Sequence, residues 1–257
     1  MTMSRNQLPW YVDFFGSEDY RSIYESRLND DASTHEAKFI QHVLDLKRGD
    51  KVLDLVCGHG RHAIPLAKNG IDVTGLDLNA EYLDQAQRSA KAAGVSIETV
   101  HSDMRQIPYT NEFDAVINMF TAFGYFDVDL ENAKVLRSVA TALKPGHPLL
   151  MDLLNREWVV SNYIQNEWHD DGTGTLYIEH RELDLTSSRN RVSFTVVEPD
   201  GTRRDVKGHD IRLYTLKEII DMLKEAGLEY EKVYGGYSEE PYSINTRRMI
   251  LVARKPH

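Results

Sequence analysis

The stretch that most constrains the fold is residues 51–60, where an apolar run leads into a glycine turn made by Gly58 and Gly60. Residues 61–67 follow with a composition that can start a helix. A buried strand, a tight turn and a helix in this order open a nucleotide-binding βαβ unit. Glycine suits the turn because it lets the backbone approach a ligand closely. The sequence therefore predicts an α/β sheet that binds a nucleotide-like ligand.

Two carboxylates near this turn indicate the kind of ligand. Asp77 ends the apolar segment 72–77, about 20 residues past the glycines, where an acid binds the two ribose hydroxyls. Asp54 lies in the first strand beside the turn, where its charge would repel a pyrophosphate but attract an ammonium group. S-adenosylmethionine (SAM) has an ammonium group and a ribose diol and carries no phosphate. The alternative is that Asp54 only caps the next helix.

Five segments in order resemble the motifs of the class I SAM-dependent methyltransferases of the small-molecule type. They are residues 52–60, 73–77, 102–104, 113–118 and 143–146. The resemblance implies a Rossmann-like fold, SAM as the cofactor and methyl transfer as the activity. Members of the family usually have glycine where this chain has Val56, and the valine side chain is expected to crowd the methionine end of the cofactor.

The same resemblance implies which residues contact the cofactor. Asp103 is expected to hydrogen-bond the adenine amino group, although an aspartate there could also cap a turn. Aromatic rings are expected around the sulfonium, because the face of a ring attracts a positive charge. The predicted cofactor-binding residues are Tyr20, Asp54, Val56, Gly58, Gly60, Asp77, Leu78, Asp103, Met104, Asn118, Met119 and Phe120.

The order of the segments predicts an α/β fold with a Rossmann-like, seven-stranded, mostly parallel sheet that ends in a C-terminal antiparallel hairpin. Thr215 and Glu218 form a capping box that begins the last helix. Before it, residues 156–166 are predicted to form a short helix, and three segments that alternate apolar and polar residues predict an inserted antiparallel β cap. The alternating segments are residues 175–184, 191–198 and 203–213.

Three parts of the chain are expected to have separate tasks. Residues 1–35 are predicted to be an N-terminal lid, in which Tyr20 and Tyr24 lie at helical spacing and either pack on the core or close over the cofactor. A helix is predicted over residues 36–46. The predicted SAM-binding core comprises residues 36–155 and 214–257, and the predicted substrate-binding cap comprises residues 156–213.

The sequence leaves the methyl acceptor open between a nitrogen and an oxygen of a small molecule. An amine mainly needs alignment with the methyl group, whereas a hydroxyl would gain from a general base such as histidine. The predicted catalytic residues are Tyr24, Tyr125, His169, Arg212 and Tyr214, and Asn155, Trp168 and Arg181 are further acceptor-side candidates. No histidine or cysteine spacing is typical of a zinc site, and no metal is expected.

Charge and composition limit the partners. The formal net charge of -10 argues against a broad nucleic-acid-binding face. The single cysteine, Cys57, excludes an intramolecular disulfide and fits a reducing compartment. No apolar run is long enough to span a membrane, and the N-terminal segment does not resemble a signal peptide. We therefore expect a cytoplasmic protein, monomeric or homodimeric, with a small-molecule substrate.

Three alternatives remain at this point. A nicotinamide dehydrogenase would fit Gly58, Gly60 and Asp77, but not Asp54 or the C-terminal hairpin. An N-methyltransferase for a peptide or natural-product amine is a narrower version of the same activity. A non-enzymatic SAM-binding protein would account for Val56.

Overall fold

A computed structural model describes residues 9–24 and 30–257 of the chain. None of the helices within these residues is long and apolar enough to cross a membrane. The helices are α1 (Trp10–Phe15), α2 (Glu18–Tyr24), α3 (Asp30–Val43), α4 (Ala63–Lys68), α5 (Ala80–Ala92), α6 (Asp129–Ala142), α7 (Arg156–Ser161) and α8 (Leu216–Glu225). The strands are β1 (Lys51–Leu55), β2 (Asp72–Asp77), β3 (Glu98–His101), β4 (Ala115–Asn118), β5 (Pro148–Leu154), β6 (Asn166–Asp170), β7 (Leu176–Asp184), β8 (Arg189–Val197), β9 (Arg203–Arg212), β10 (Glu229–Tyr234) and β11 (Arg248–Arg254).

The main sheet has seven strands in the order β10-β11-β5-β4-β1-β2-β3. Strands β1 to β5 pair in parallel, whereas β11 pairs antiparallel with both β5 and β10. A separate antiparallel sheet has the order β6-β7-β8-β9. The predicted fold class is therefore confirmed, including the C-terminal hairpin and the second sheet. The carboxyl ends of β1, β2 and β4 meet at one edge, where ligands bind in open α/β sheets.

Helices cover both faces of the main sheet. Neighbouring residues of β1 point to opposite sides, so Val52 packs with residues of α3, α4 and α5, while Leu53 packs with residues of α6 and α8. Strands buried on both faces read as nearly continuous apolar runs, which explains the composition of residues 51–56. The glycine turn after β1 is thus fixed between two packed helical layers.

The two N-terminal helices connect the second sheet to the core. Phe14 of α1 and Tyr24 of α2 belong to one buried cluster with Tyr177, Phe194 and other apolar residues of the second sheet. Trp10, in contrast, packs against the main core, and its Nε1–H donates to the backbone oxygen of Tyr125 at 3.2 Å. The aromatic residues near the N-terminus therefore pack on both sheets at once.

Several predicted boundaries differ from the structure. The helix predicted over residues 156–166 ends at Ser161, and residues Asn166–Asp170 instead form β6, a strand that the prediction missed. Helix α3 starts at Asp30 rather than at residue 36. The capping box is confirmed, because the Thr215 side chain accepts from the Glu218 N–H and the Glu218 side chain accepts from the Thr215 N–H. Residues 1–8 and 25–29 of the predicted lid lie outside the described part of the chain.

Candidate active site

A cavity of about 1010 Å³ lies at the carboxyl edge of the main sheet. Its walls come from the ends of β1, β2 and β4, from α1 and α2, and from the inner side of the second sheet. Of the predicted cofactor-binding residues, nine line this cavity: Tyr20, Val56, Gly58, Asp77, Leu78, Asp103, Met104, Met119 and Phe120.

Asp77 joins the ends of the first two strands. Its Oδ2 accepts from the Gly58 N–H at 2.8 Å, and its Oδ1 accepts from the Asn79 N–H at 2.8 Å. Burial raises the pKa of Asp77, and the bonds from Asn79 and Gly58 oppose that rise. The carboxylate thus lies in the cavity wall while holding the glycine turn in place.

Val56 adopts a backbone conformation that favours glycine. Its φ is 64°, in the left-handed region, which is disfavoured for a β-branched residue. Its N–H donates to the Leu76 oxygen at 2.7 Å, so the turn holds it in this conformation. Val56 lines the cavity, at the place where the family resemblance leads us to expect glycine.

Asp54 lies behind the cavity wall and does not line it. The residue is 1% exposed, and its Oδ2 has no hydrogen-bond partner among residues 9–24 and 30–257. Burial raises the pKa of Asp54 to about 6, against the opposing charge of His62. The capping alternative receives partial support, since the Ala63 N–H at the start of α4 bonds to this carboxylate. Gly60 also lies outside the cavity lining, although it belongs to the same turn.

Asp103 also lines the cavity, and its carboxylate is already hydrogen-bonded within the protein. Its carboxylate accepts from the Arg105 side chain, with an Nη2–Oδ2 distance of 2.6 Å, and from the Arg105 N–H at 2.8 Å. Burial alone would raise the pKa of Asp103, but these bonds lower it. The Arg105 guanidinium lies 4.2 Å from the centre of the Phe126 ring. The Asp103 carboxylate is therefore held at one place in the wall.

The loop after β4 contains two adjacent strained residues. Phe120 has a φ of 58° and Thr121 a φ of 61°. Their N–H groups donate to Asp152, at 2.9 Å to Oδ2 and 2.8 Å to the backbone oxygen, and both residues line the cavity. Non-glycine residues in this region persist where the surroundings enforce them, often at functional sites. Asn118 does not reach the cavity, because its amide donates to the backbone oxygens of Leu55 and Ala122.

Four aromatic rings line the middle of the cavity. The ring of Tyr20 lies 5.0 Å from Phe15 and 5.3 Å from Tyr24, and Phe15 lies 5.4 Å from Tyr125. Burial raises the pKa of Tyr20 and of Tyr125, so both hydroxyls stay neutral at physiological pH. Neutral rings of this kind can surround a positive centre without carrying a charge themselves.

The second sheet contributes a polar wall. Arg181 donates to Glu179 at 2.8 Å and to Glu167 at 2.6 Å, and all three side chains line the cavity. Buried Asn190 lies in the same wall, and its Oδ1 has no hydrogen-bond partner in the described part of the chain. His209 completes the wall, with its Nδ1 3.4 Å from the Tyr24 hydroxyl.

Three of the five predicted catalytic residues lie outside the cavity. Arg212 follows cavity-lining Ile211 on β9, so strand alternation turns it away, and it donates to Glu218 at 2.7 Å. The Tyr214 hydroxyl donates to Asp129 at 2.6 Å. The His169 ring stacks on Tyr177 at 5.1 Å, away from the cavity lining. We therefore withdraw these three as candidates and keep Tyr24 and Tyr125.

Two of the three further acceptor-side candidates, Asn155 and Trp168, do not line the cavity. Asn155 caps α7, and its amide donates to the backbone oxygens of Ser243 and Thr246 at 2.8 and 2.7 Å. Trp168 lies on strand β6 with 67% of its surface exposed. Arg181 is the further candidate that the structure places in the cavity wall.

Two buried charged groups in the cavity wall were not predicted. Glu36 accepts from Arg61 and lies 2.6 Å from His62 Nε2. Arg248 donates from its Nε to Asp152 at 2.6 Å, and the Tyr237 hydroxyl donates to the same carboxylate at 2.6 Å. The partners are 25 residues apart in the first group and 96 in the second, so no local pattern pairs them. The position of Arg61 directly after the glycine turn was the one available signal.

Known proteins resemble this chain in sequence and in fold. The profile of the methyltransferase-domain family matches residues 52–146. The cypemycin N-terminal methyltransferase of a Streptomyces species is 28% identical over 212 residues, which cover 80% of this chain and 84% of that protein. The dTDP-3-amino-3,6-dideoxy-alpha-D-glucopyranose N,N-dimethyltransferase of Streptomyces fradiae is 28% identical over 193 residues, which cover 73% of each protein.

A solved structure shows the same fold with the cofactor present. The SAM-bound CalS10, an amino pentose methyltransferase from Micromonospora echinaspora, superposes with a TM-score of 0.67 at 21% identity, over 93% of this chain and 97% of that one. Together with the sheet order and the site at its carboxyl edge, these findings define the class of protein. Residues 52–146 form a methyltransferase domain, and the chain has the fold of the class I SAM-dependent methyltransferases.

SAM is therefore the cofactor, and the residues of the cavity fit its chemistry. A carboxylate at the end of β2 suits a ribose diol, and neutral rings suit a sulfonium. The orphaned Oδ2 of Asp54 places a negative group behind the glycine turn, as an ammonium group would require. Within residues 9–24 and 30–257 there is no cluster of three or more histidine, cysteine or acidic side chains that could hold a metal ion.

Proposed function

We propose that this enzyme transfers the methyl group of SAM to an amine nitrogen of a small molecule by in-line displacement. The observation that carries this proposal is the continuity of one cavity from Asp77 and Asp103 to the polar wall of the second sheet. The cavity of about 1010 Å³ lies at the upper end of the range for ligand pockets, roughly 300–1,000 Å³, which suits a cofactor with a small acceptor beside it.

Each end of the cavity has a proposed task. Asp77 would hold the ribose and Asp103 the adenine, while the rings of Tyr20 and Tyr125 would surround the sulfonium and exclude water. Bound SAM supplies an activated methyl group. The chain's own contribution is to hold the acceptor in line with that group, which removes an entropic barrier.

An amine acceptor is favoured over a hydroxyl by the two relatives named above, which are an N-terminal methyltransferase and an amino-sugar N,N-dimethyltransferase. The acceptor wall contains a hydrogen-bonded pair, His209 with Tyr24, that can take up the proton that a methylated amine releases. We propose that His209 accepts this proton and that Tyr24 orients its ring.

In this proposal, each of the three predicted parts of the chain has its own role. Residues 156–213 form the cap that selects the acceptor, and residues 1–35 form the lid over the cofactor. Residues 36–155 and 214–257 form the SAM-binding core. We further propose that the protein acts in the cytoplasm as a monomer or homodimer, and not on nucleic acid, because its formal net charge is -10 and it has one cysteine.

The test is an acceptor panel read by formation of S-adenosylhomocysteine (SAH). The panel contains a nucleotide-linked amino sugar, a peptide with a free N-terminus and a catechol. We expect turnover with an amine and a loss of at least tenfold in kcat/KM for His209→Asn. His180→Asn is the matched control, since His180 lies on the exposed side of the second sheet and bonds to Asn166 and Thr195. Turnover of the catechol alone, or equal losses in both variants, would contradict the proposal.

A further inference from the structure

Asn190 presents an unpaired oxygen to the cavity from the second sheet. The residue lies on β8, lines the cavity and is 6% exposed. Its Oδ1 is buried and has no hydrogen-bond partner among residues 9–24 and 30–257. A buried hydrogen-bond acceptor without a partner costs free energy, and most such groups in native structures are paired. A ligand that donates a hydrogen bond to Oδ1 would remove this cost.

The strand register places Asn190 beside the proposed site of methyl transfer. Its partner across β9 is Ile211, which lies two residues after His209 and belongs to the same buried cluster as Tyr125. The Arg189 guanidinium ties this end of β8 to the backbone of the loop after β4, at 3.0 Å. Side chains diagonal to one another across an antiparallel pair lie roughly 7–8 Å apart. A substrate group between His209 and the Tyr125 ring is therefore within reach of Asn190.

The Asn190 amide differs from the other polar groups near this place. Asp54 and Asn118 also have a buried oxygen without a partner in the described part of the chain, but neither lines the cavity. Glu179 lines the cavity, and it accepts from Arg181 at 2.8 Å. A carboxylate beside an amine would favour the protonated form, which has no lone pair to react. A neutral amide can accept from an amine N–H without this penalty.

We propose that Asn190 accepts a hydrogen bond from an N–H of the substrate amine, aims the nitrogen lone pair at the methyl group of SAM and limits the enzyme to two transfers per nitrogen. This inference rests on the proposed function. The lone pair forms the new N–C bond as the S–C bond breaks, and sulfur keeps the electron pair of the broken bond in SAH. The ammonium formed by the first transfer then releases one proton to His209.

The limit of two transfers follows from the number of N–H groups. A neutral primary amine has two, its N-methyl form has one, and its N,N-dimethyl form has none. The first two can donate to Asn190 Oδ1 while the lone pair stays in line with the methyl group. The dimethyl form leaves Oδ1 buried and unpaired, and a site built to bind an N–H rejects a ligand that lacks it.

Three forms of one amine test this inference. The probe is the nucleotide-linked amino sugar or the peptide of the acceptor panel, whichever wild type methylates faster, with its N-methyl and N,N-dimethyl forms. For wild type we expect kcat/KM to be at least thirtyfold lower for the dimethyl form than for the N-methyl form. For Asn190→Leu we expect a loss of at least tenfold with the primary and N-methyl forms and no further fall with the dimethyl form.

Asn190→Asp separates a bond to the amine from a structural role. It keeps the accepting oxygen and adds a charge, which favours the protonated form of the bound amine. We expect kcat at high pH within fivefold of wild type, and the acidic limb of the kcat profile moved to higher pH. Asn166→Leu is the matched control and should equal wild type, since Asn166 lies on the exposed strand β6 and bonds to His180. All variants should bind SAH within threefold of wild type.

The other outcomes overturn the inference. A quaternary ammonium product from wild type, detected by mass spectrometry, would contradict the limit of two transfers. Wild-type kinetics in Asn190→Leu, or an unmoved acidic limb in Asn190→Asp, would show that Asn190 does not hold the amine. If Asn190→Leu does not fold, the pH profile of Asn190→Asp decides alone. A wild-type protein that binds SAH but methylates no amine would contradict the proposed function, and this inference with it.

Discussion

At the scale of single residues, Val56 adopts a backbone conformation that suits glycine. A left-handed conformation costs a residue with a side chain about 1–2 kcal/mol. Glycine at this position would remove that strain, although it would add about 0.5–1 kcal/mol of backbone entropy to the unfolded chain. We predict that Val56→Gly raises the free energy of unfolding by about 1 kcal/mol. Urea denaturation measures this change.

Val56→Ala separates the backbone effect from the loss of the side chain. Alanine removes most of the side chain but keeps the left-handed strain, so this variant should be no more stable than wild type. A Val56→Gly protein that is as unstable as Val56→Ala would show that the φ of 64° carries no strain. The comparison also reports whether valine crowds the cofactor, since SAH affinity would then rise in both variants.

Asp54 gives a second prediction at the residue scale, for the dependence of stability on pH. Burial raises its folded-state pKa to about 6, whereas an unfolded aspartate titrates near 3.9. A raised pKa means that the folded state binds the proton more tightly than the unfolded state does. The stabilisation from this proton is complete below about pH 4 and is lost as the pH rises through about 6.

Asparagine cannot ionise, so Asp54→Asn should escape this loss. We predict that the stability of Asp54→Asn relative to wild type rises by about 2–3 kcal/mol between pH 4 and pH 7, at 1.36 kcal/mol per pKa unit. Urea denaturation of both proteins at several pH values measures the difference. A difference that stays constant across this range would contradict the assignment of a buried, proton-binding Asp54.

At the scale of elements, α1 depends on tertiary packing for its stability. A helix of six residues is not stable alone, and its buried ring, Phe14, stacks on Phe194 of the second sheet at 6.2 Å. Truncating a buried phenylalanine costs about 3–5 kcal/mol where the site cannot collapse. We predict that Phe14→Ala releases α1 and α2 locally, with at least tenfold faster hydrogen exchange there and unchanged exchange in β1 to β5.

Phe14→Leu is the matched variant, because it keeps most of the apolar volume. It should show a smaller increase in exchange at the same helices. Unchanged exchange in α1 and α2 after Phe14→Ala would show that these helices are held mainly through Trp10 and the core. Faster exchange throughout the protein would show that α1 belongs to the global folding unit.

Elements differed in how far the sequence could predict them. Strands β1, β2, β4 and β5 were predictable because they are apolar on both faces and their turns contain glycine. Strand β6 was missed because Asn166–Asp170 is an edge strand that is mostly exposed, so it carries no alternation. Helix α3 starts earlier than predicted because its first residues are mostly polar in sequence and so carry no apolar periodicity.

At the scale of the whole molecule, the site depends on pairs that are distant in the sequence. The carboxylate at Asp77 and the loop at Asp103 could be predicted, because topology brings the ends of parallel strands to one edge. The pairing of Arg248 with Asp152, across 96 residues, could not. Arg212 was predicted to be catalytic, and the sequence could not show that it turns away from the cavity. The face to which a β9 residue points is set by packing against Gly124 and α8.

The central claim is that this fold binds SAM through the ends of β1 and β2. Calorimetric titration of wild type and of Asp77→Asn with SAH, beside NADH, tests it most directly. We predict micromolar binding of SAH to wild type, a loss of at least tenfold or about 1.4 kcal/mol in Asp77→Asn, and no binding of NADH. A folded wild-type protein that does not bind SAH, or that binds it equally well after Asp77→Asn, would contradict the account.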